Sequence, residues 1–426
     1  MLDVEEQLAR LRKRVAAIDR KYQNPRPPRA PEPAYDPDRR GLTRSFIEEW
    51  AEGQVVANDP GSHFQMERTY PAHRQHGAAD IGALAELPAD FLDALSENEI
   101  ASAAPERWAF LDTETTGLAG GSGTYAFLIG VGRITREGFT VRQFFMRDYV
   151  EERSMLIALE EHLAAFDVLI TYNGRSYDQP LLETRYRMHR ARPPFTRLNH
   201  LDLLYGSRRL WKLRLENCRL MQLEQEILGV CREGDLPGEL IPYVYFEYLR
   251  SREAQRLVPI FHHNAMDSLT LACLTAIVPA AFRKTDADSR ARVGVRRGTE
   301  LAGIARWLRA AGEHEKALEV FRRALAAGLP DRLLFRTLWD IGCLEKKLGR
   351  ANDARHIFLE LAGCRNEYRV QALEELAKFS EREERNFALA LEFTERALAF
   401  GLTEALLRRK QRLEARLARH RTRRLL

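Results

Sequence analysis

The stretch WAFLDTETTGLAGGSGTYAFLIGVGR, Trp108 to Arg133, reads as two strands joined by a glycine-rich turn. The first strand opens on four apolar residues, and then two acids intrude: Asp112 and Glu114, two positions apart. Successive side chains of a strand point to opposite faces, so these two carboxylates project from the same face and converge. Like charges held together in a partly apolar setting repel, and unless one keeps its proton they need a cation. Hard divalent ions such as Mg²⁺ and Mn²⁺ prefer oxygen ligands of this kind. Taken alone, the pair is common and more often marks a strand that ends in a solvated turn.

Working outward, FTVRQFFMRDY predicts a third strand. SMLIALEEHLAAF predicts a helix with Leu156, Leu159, Leu163 and Phe166 at helical spacing and Ser154 as its cap. VLITYNG reads as a short strand entering a turn, and DQPLLETRYRMHRA as a helix. The expected fold class is therefore α/β, a mixed sheet flanked by helices. YNGRSYD sets Asp178 at a strand-to-helix junction, and HHNAMDSLTLACL sets His262, His263 and Asp267 at the head of a later helix.

A DxE on the first strand, an NGxxxD at a junction and a His–Asp pair on a late helix together resemble the motifs of the DEDD family of 3′–5′ exonucleases. The chain more closely resembles the bacterial YprB-like ribonuclease-H-like proteins. The residues that carry this are GTYAFLIGVG, REGDLPGELIPYVYFEYLR and HHNAMDSLTL, and the similarity spans about residues 45–285. The resemblance implies that Asp112, Glu114, Asp178 and Asp267 hold two divalent cations, Mg²⁺ or Mn²⁺, about 3.5–4 Å apart. It implies a two-metal hydrolysis of phosphodiester bonds, with a histidine as general base. On a helix, His263 lies on nearly the same face as Asp267, four residues on, whereas His262 points elsewhere. His263 is the favoured base because Asn264 completes an HNxxD pattern that resembles the YprB-like family, and His262, at the spacing where one DEDD branch has its histidine, is the alternative.

Weaker candidates surround this set. Asn173 with Gly174 is first a turn signal. Thr115, Thr116 and the GLAGGSG turn lack the GK[ST] ending of a phosphate loop. Asp202 resembles an acidic strand position of related nucleases, but a structural ion pair with nearby arginines accounts for it as well. Arg208, Arg209, Lys212 and Arg214 around Trp211 are candidates for tracking a phosphate backbone with a ring for stacking, against the plain alternative of a solvated helix face.

The 426 residues suggest two to three domains, and 45% hydrophobic content is ample for sizeable cores. Residues 1–23 predict an amphipathic helix, with Leu8, Leu11, Val15 and Ile18 on one side, and the proline-rich 24–40 a linker. Residues 41–103 read as an irregular lead-in packed on the ribonuclease-H-like domain at 104–285. From 296 to 402 helix follows helix. Gly312 and Gly349, Ala317 and Ala354, and Phe321 and Phe358 are each 37 residues apart, with Ala390 and Thr394 in a looser third copy. Such a code resembles tetratricopeptide-like arrays, which offer a groove to a partner protein or serve as a support. Residues 403–426 form a basic helix or tail in which Arg408, Arg409 and Lys410 are candidate phosphate contacts. The longest apolar runs, such as Leu269 to Phe282, fall short of the ~20 residues that cross a bilayer, so no membrane association is expected. Five scattered cysteines without a CxxC pair fit reduced thiols in a cytoplasm. The net charge of +5 does not by itself define a nucleic-acid binder.

The expectation is a metal-dependent nuclease, a 3′–5′ exonuclease on single-stranded nucleic acid or frayed ends. The alternatives are a structure-selective endonuclease using the same site, and a non-catalytic nucleic-acid-binding or scaffold protein acting through its helices. DNA and RNA are not distinguished.

Overall fold

The structure is a computed structural model that describes residues 45–96, 100, 102–117, 123–282 and 297–425. The expected helix over 1–23, the linker over 24–40 and the middle of the GLAGGSG turn lie outside the described residues. The chain divides into two compact units. Among the described residues, the first holds 45–208 together with 217–282; the second holds Arg209–Glu216 and 297–425.

The first unit is built on a seven-stranded mixed sheet. In chain order its strands are β1 (Gly53–Asn58), β2 (Gly61–Pro71), β5 (Trp108–Thr115), β6 (Ala126–Thr135), β7 (Gly138–Phe145), β8 (Val168–Thr171) and β9 (Asn199–Asp202). A separate two-stranded ladder, β3 (Gln75–His76) with β4 (Ala79–Asp80), lies between β2 and β5 in sequence. The spatial order is β1-β2-β7-β6-β5-β8-β9, antiparallel from β1 to β5 and parallel from β5 through β8 to β9. Parallel neighbours need a crossover, and the helix Glu152–Leu163 precedes β8 as the one between β5 and β8. It buries Met155, Leu156, Leu159 and Leu163 in the core. Ser154 is inside this helix rather than at its cap. Its hydroxyl is buried and hydrogen-bonded to His63 Nδ1 at 2.8 Å.

The lead-in departs from expectation. Rather than irregular chain, residues 53–71 form a hairpin whose second strand pairs with β7 along its length, from Phe64 opposite Phe145 to Pro71 opposite Gly138. The turn Asp59–Pro60 supplies the break, and Phe64 is fully buried. The alternation is hidden in the sequence because Glu67, Arg68 and Thr69 are exposed in succession, so both faces of this part of the strand carry polar side chains.

A 25-residue helix, Val258–Phe282, packs on β5, β6 and β7 and buries nearly every apolar side chain it carries. By length and composition it is long enough to cross a membrane, and its apolar length is accounted for by burial against the sheet. Around it Phe127 stacks on Tyr245 with ring centres 3.9 Å apart, and Phe261 meets Phe145 edge to face at 5.0 Å.

The second unit is a run of helices, Gly298–Ala310, His314–Ala326, Asp331–Lys347, Ala351–Gly363, Arg369–Arg382, Phe387–Phe400 and Glu404–Leu425, each packed on its sequence neighbour. The 37-residue period has a structural meaning. Gly312 and Gly349 end the first helix of successive pairs at φ +82° and +78°, where a side chain would be strained. Ala317, Ala354 and Ala390 are buried, as are Phe321, Phe358 and Thr394. In the third pair Arg385, rather than a glycine, takes the positive φ.

Candidate active site

Asp112 sits on β5 opposite Gly130 of β6, and Gly130 sits opposite Gln143 of β7, so the three form a row across the sheet. Asn264 of the long helix lies over this row. Its Nδ2 donates to Asp112 Oδ2 at 2.8 Å and to the Asp112 carbonyl at 3.2 Å, and its Oδ1 accepts from Gln143 Nε2 at 2.8 Å. A Cβ at position 130 would come within 2.2 Å of that Oδ1, so glycine is what lets the helix amide descend to the sheet. Glu114 follows at the end of the regular ladder, where the pairing register shifts between Glu114 and Thr115.

Asp178 is the first residue of the helix Asp178–Met188. The loop leading to it is held by Asp202 of β9, whose carboxylate accepts from the amides of Asn173 at 2.7 Å and Arg175 at 3.2 Å, as well as Leu204 at 3.1 Å. Asn173 is left-handed, φ +67°, which asparagine tolerates better than most residues. Asp202 thus binds backbone amides rather than arginine side chains, which corrects the ion-pair expectation. Thr113, between the two strand acids, donates its hydroxyl to Asp178 Oδ1 at 2.5 Å.

From the long helix His263 and Asp267 enter the same pocket: His263 Nε2 lies 3.6 Å from Asp267 Oδ2 and 3.9 Å from Glu114 Oε1. The other ring nitrogen, Nδ1, bonds Asp235 Oδ2 at 2.9 Å. Asp267 Oδ1 accepts from Arg232 Nη2 at 2.6 Å. The acids remain reachable, with the side chains of Glu114 and Asp267 13% and 19% exposed.

The electrostatics register the crowding. Burial, then the charges of Asp267, Glu114 and Asp178, raise the Asp112 carboxyl well above its ordinary range. Burial raises Glu114 to about 8, against the opposing pull of His263, and raises Asp178 to about 6 against the Thr113 hydrogen bond. For His263, burial works to lower it, but Asp267, Asp235 and Glu114 prevail and lift it to about 10. Four carboxylates thus share a pocket in which the His263 imidazole acts as counter-charge. An all-oxygen donor set with surplus negative charge is the chemistry that suits Mg²⁺ or Mn²⁺. Among the described residues no three His, Cys, Asp or Glu groups stand in ready-made ligand positions; Asp112, Asp178 and Asp267 are held instead by Asn264, Thr113 and Arg232.

The structure therefore gathers Asp112, Glu114, Asp178, His263 and Asp267. It does not bring in His262, which is exposed, with Nδ1 3.5 Å from Arg68 Nη1. Trp211 is fully buried, so it is a packing residue and not a stacking platform, while Arg208, Arg209 and Lys212 are exposed. Arg214 pairs with Glu300 at 3.3 Å. In the last helix Arg408 pairs with Glu404, Arg409 with Glu381 and Lys410 with Glu395, and Leu406 and Leu413 are buried. This segment is a docked helix rather than a tail. Thr113, Gly130, Gln143, Arg232 and Asp235 belong to the site without having been expected there. The last two stand in REGDLPGEL, a segment singled out without a role.

The family described as the RNase_H superfamily matches residues 109–278, the span from β5 through most of the long helix. The chain is also similar to the uncharacterized protein YprB of Bacillus subtilis (strain 168), at 33% identity over 294 residues, 68% of each chain. With its mixed sheet and this degree of identity, the chain belongs to the YprB family of the RNase_H superfamily.

Proposed function

We propose that this chain is a divalent-cation-dependent nuclease that removes nucleotides from the 3′ end of single-stranded nucleic acid or frayed ends. The ribonuclease-H-like fold supports a nuclease in general. The observation that carries the finer reading is the convergence of Asp112, Glu114, Asp178 and Asp267 on one pocket, where the charges of Asp267 and Asp178 add to burial in raising Asp112 and Glu114. These four residues would hold two Mg²⁺ or Mn²⁺ ions, which when bound supply charge stabilisation for an in-line displacement at phosphorus.

The chain's own residues do the positioning. Asn264 fixes Asp112, and Thr113 fixes Asp178. Asp235 fixes the His263 ring through Nδ1 and leaves Nε2 facing the acids. Nε2, with the ring held by Asp235, would be the acceptor for a proton from the attacking water. The exposed Arg208, Arg209 and Lys212, and Arg408, Arg409 and Lys410 of the last helix, are proposed contacts to the phosphate backbone. The helical unit is proposed to engage a partner protein.

The test is a 5′-labelled single strand incubated with Mg²⁺ or Mn²⁺. Stepwise shortening from the 3′ end, lost in Asp112→Ala, supports the reading. Discrete internal cuts would move it to an endonuclease, and no hydrolysis of any DNA or RNA strand would overturn it.

A further inference from the structure

Arg232 and Asp235 are buried charged residues that take no direct part in the hydrolysis proposed for the pocket. Their side chains are 6% and 9% exposed, and together with two residues of the long helix they close a ring. Arg232 Nη2 meets Asp267 Oδ1 at 2.6 Å, and Asp267 Oδ2 faces His263 Nε2 at 3.6 Å. His263 Nδ1 meets Asp235 Oδ2 at 2.9 Å, and the same oxygen lies 3.2 Å from Arg232 Nη1. The ring is anchored from outside. Arg232 Nε lies 2.7 Å from Glu224 Oε2, and Glu224 Oε1 accepts from Thr270 Oγ1 at 2.6 Å and lies 3.2 Å from His76 Nε2.

The partners on the long helix are His263, Asp267 and Thr270, spaced four and three residues apart and so on one face. One short segment thus grips a single stripe of that helix at three heights. We infer that Arg232 and Asp235 are positioning residues that set the orientation of His263 and Asp267, and through Asp267 set how tightly the pocket takes a divalent cation. The inference rests on the proposed nuclease reading of the site. Stability alone is a poor reason for this arrangement, because a buried ion-pair network is on balance no more stabilising than well-packed apolar residues of the same volume. What the network does, and apolar residues could not, is address chosen atoms: one oxygen of Asp267 and one nitrogen of His263. The other oxygen of Asp267 faces the other nitrogen of His263, which lies 3.9 Å from Glu114 Oε1. Partners behind ligands and bases of this kind commonly change metal affinity or activity by about 10–100-fold when removed.

Removing the guanidinium outright would strand Glu224 and Asp235 in the interior, so the full-length chain is tested with Arg232→Lys, Asp235→Asn and Asp235→Ala, each first shown to melt as a folded protein. Mn²⁺ binding is followed by the electron paramagnetic resonance of the free ion, and kcat and KM are measured on a labelled strand. Expected are Mn²⁺ affinity lowered by about 10–100-fold in Arg232→Lys, and kcat lowered by a similar factor in Asp235→Ala with KM little changed. Asp235→Asn, whose amide oxygen still accepts from Nδ1, recovers most of that kcat. Folded variants that keep wild-type Mn²⁺ affinity and kcat overturn the inference. A crystal structure of Asp235→Ala and of Arg232→Lys gives a readout independent of activity: the brace requires the His263 ring and the Asp267 carboxylate to turn, and unmoved side chains overturn it. A wild-type chain that takes up no Mn²⁺ and cuts no strand would instead defeat the nuclease reading, and the two crystal structures would then decide the brace alone.

Discussion

Asn264 and Gly130 face each other across a gap that admits no side-chain carbon, since a Cβ at position 130 would stand 2.2 Å from the asparagine oxygen. Gly130→Ala is therefore expected to lift Asn264 from Asp112 and Gln143. Overpacking of this kind costs about 1–3 kcal/mol, and loss of the hydrogen bond that orients Asp112 should lower kcat about 10–100-fold. Denaturant unfolding and steady-state hydrolysis check the two effects separately. Unchanged values in both would mean that the helix yields without consequence.

The crowded carboxylates should make the protein more stable when divalent cations are present. At a cation concentration a hundred times the dissociation constant the gain is about 2.7 kcal/mol, visible as a rise in melting temperature. Asp112→Asn should lose that rise. Without cations it should melt no lower than wild type, because it removes a buried charge that burial and its neighbours oppose.

The two adjacent histidines should separate cleanly. His263 faces Glu114 and Asp267, while His262 is exposed beside Arg68. His263→Ala is expected to lower kcat by about 10²–10⁴-fold, and His262→Ala to leave it near wild type. The reverse order in single-turnover rates would reassign the base.

Acid should destabilise the first unit through histidines remote from the pocket. Burial and Arg147 hold His63 down to about 4, and burial with Arg142 and Arg133 does the same to His162. Both folded values lie below the unfolded value of 6.5, so the unfolded chain takes up protons first as the pH falls. Their contribution is intact above about 6.5 and is lost progressively down to about 4. Melting temperatures between pH 7.5 and 4.5 should drop accordingly, and His162→Phe, which sets a ring beside Phe144 and Phe166, should flatten the slope.

The basic residues around Trp211 call for a different measurement. Trp211→Ala should act as a core truncation costing about 3–5 kcal/mol. Replacing Arg208, Arg209 and Lys212 together by alanine should leave stability nearly unchanged and reduce the salt dependence of single-strand binding, by about 0.7 in slope for each phosphate no longer neutralised. An unaltered slope removes them from the interface.

Local periodicity made the strand and helices that carry the candidate acids legible. The alternation in WAFLDTE placed Asp112 and Glu114 together, and the i, i+4 spacing placed His263 with Asp267. Tertiary partners were not legible. Arg232 reaches Asp267 across 35 positions and Asp235 reaches His263 across 28, from a segment with no period to betray which way its side chains turn. Trp211 misled for a related reason, because an aromatic among arginines looks exposed until the packing around it is known. The β1–β2 hairpin was obscured by exposed polar residues on both faces of β2, and its place in the sheet depends on a partner, β7, that lies some seventy residues further along.

The recurring left-handed glycines of the helical unit bear on how this chain can change length. Insertion or loss of a whole 37-residue block would return Ala354 and Phe358 to the seats that Ala317 and Phe321 occupy, whereas a one-residue slip inside a block would rotate those seats out of line. Natural variation in size should therefore come in modules, each a self-similar brick, with the nuclease-like sheet untouched by the count.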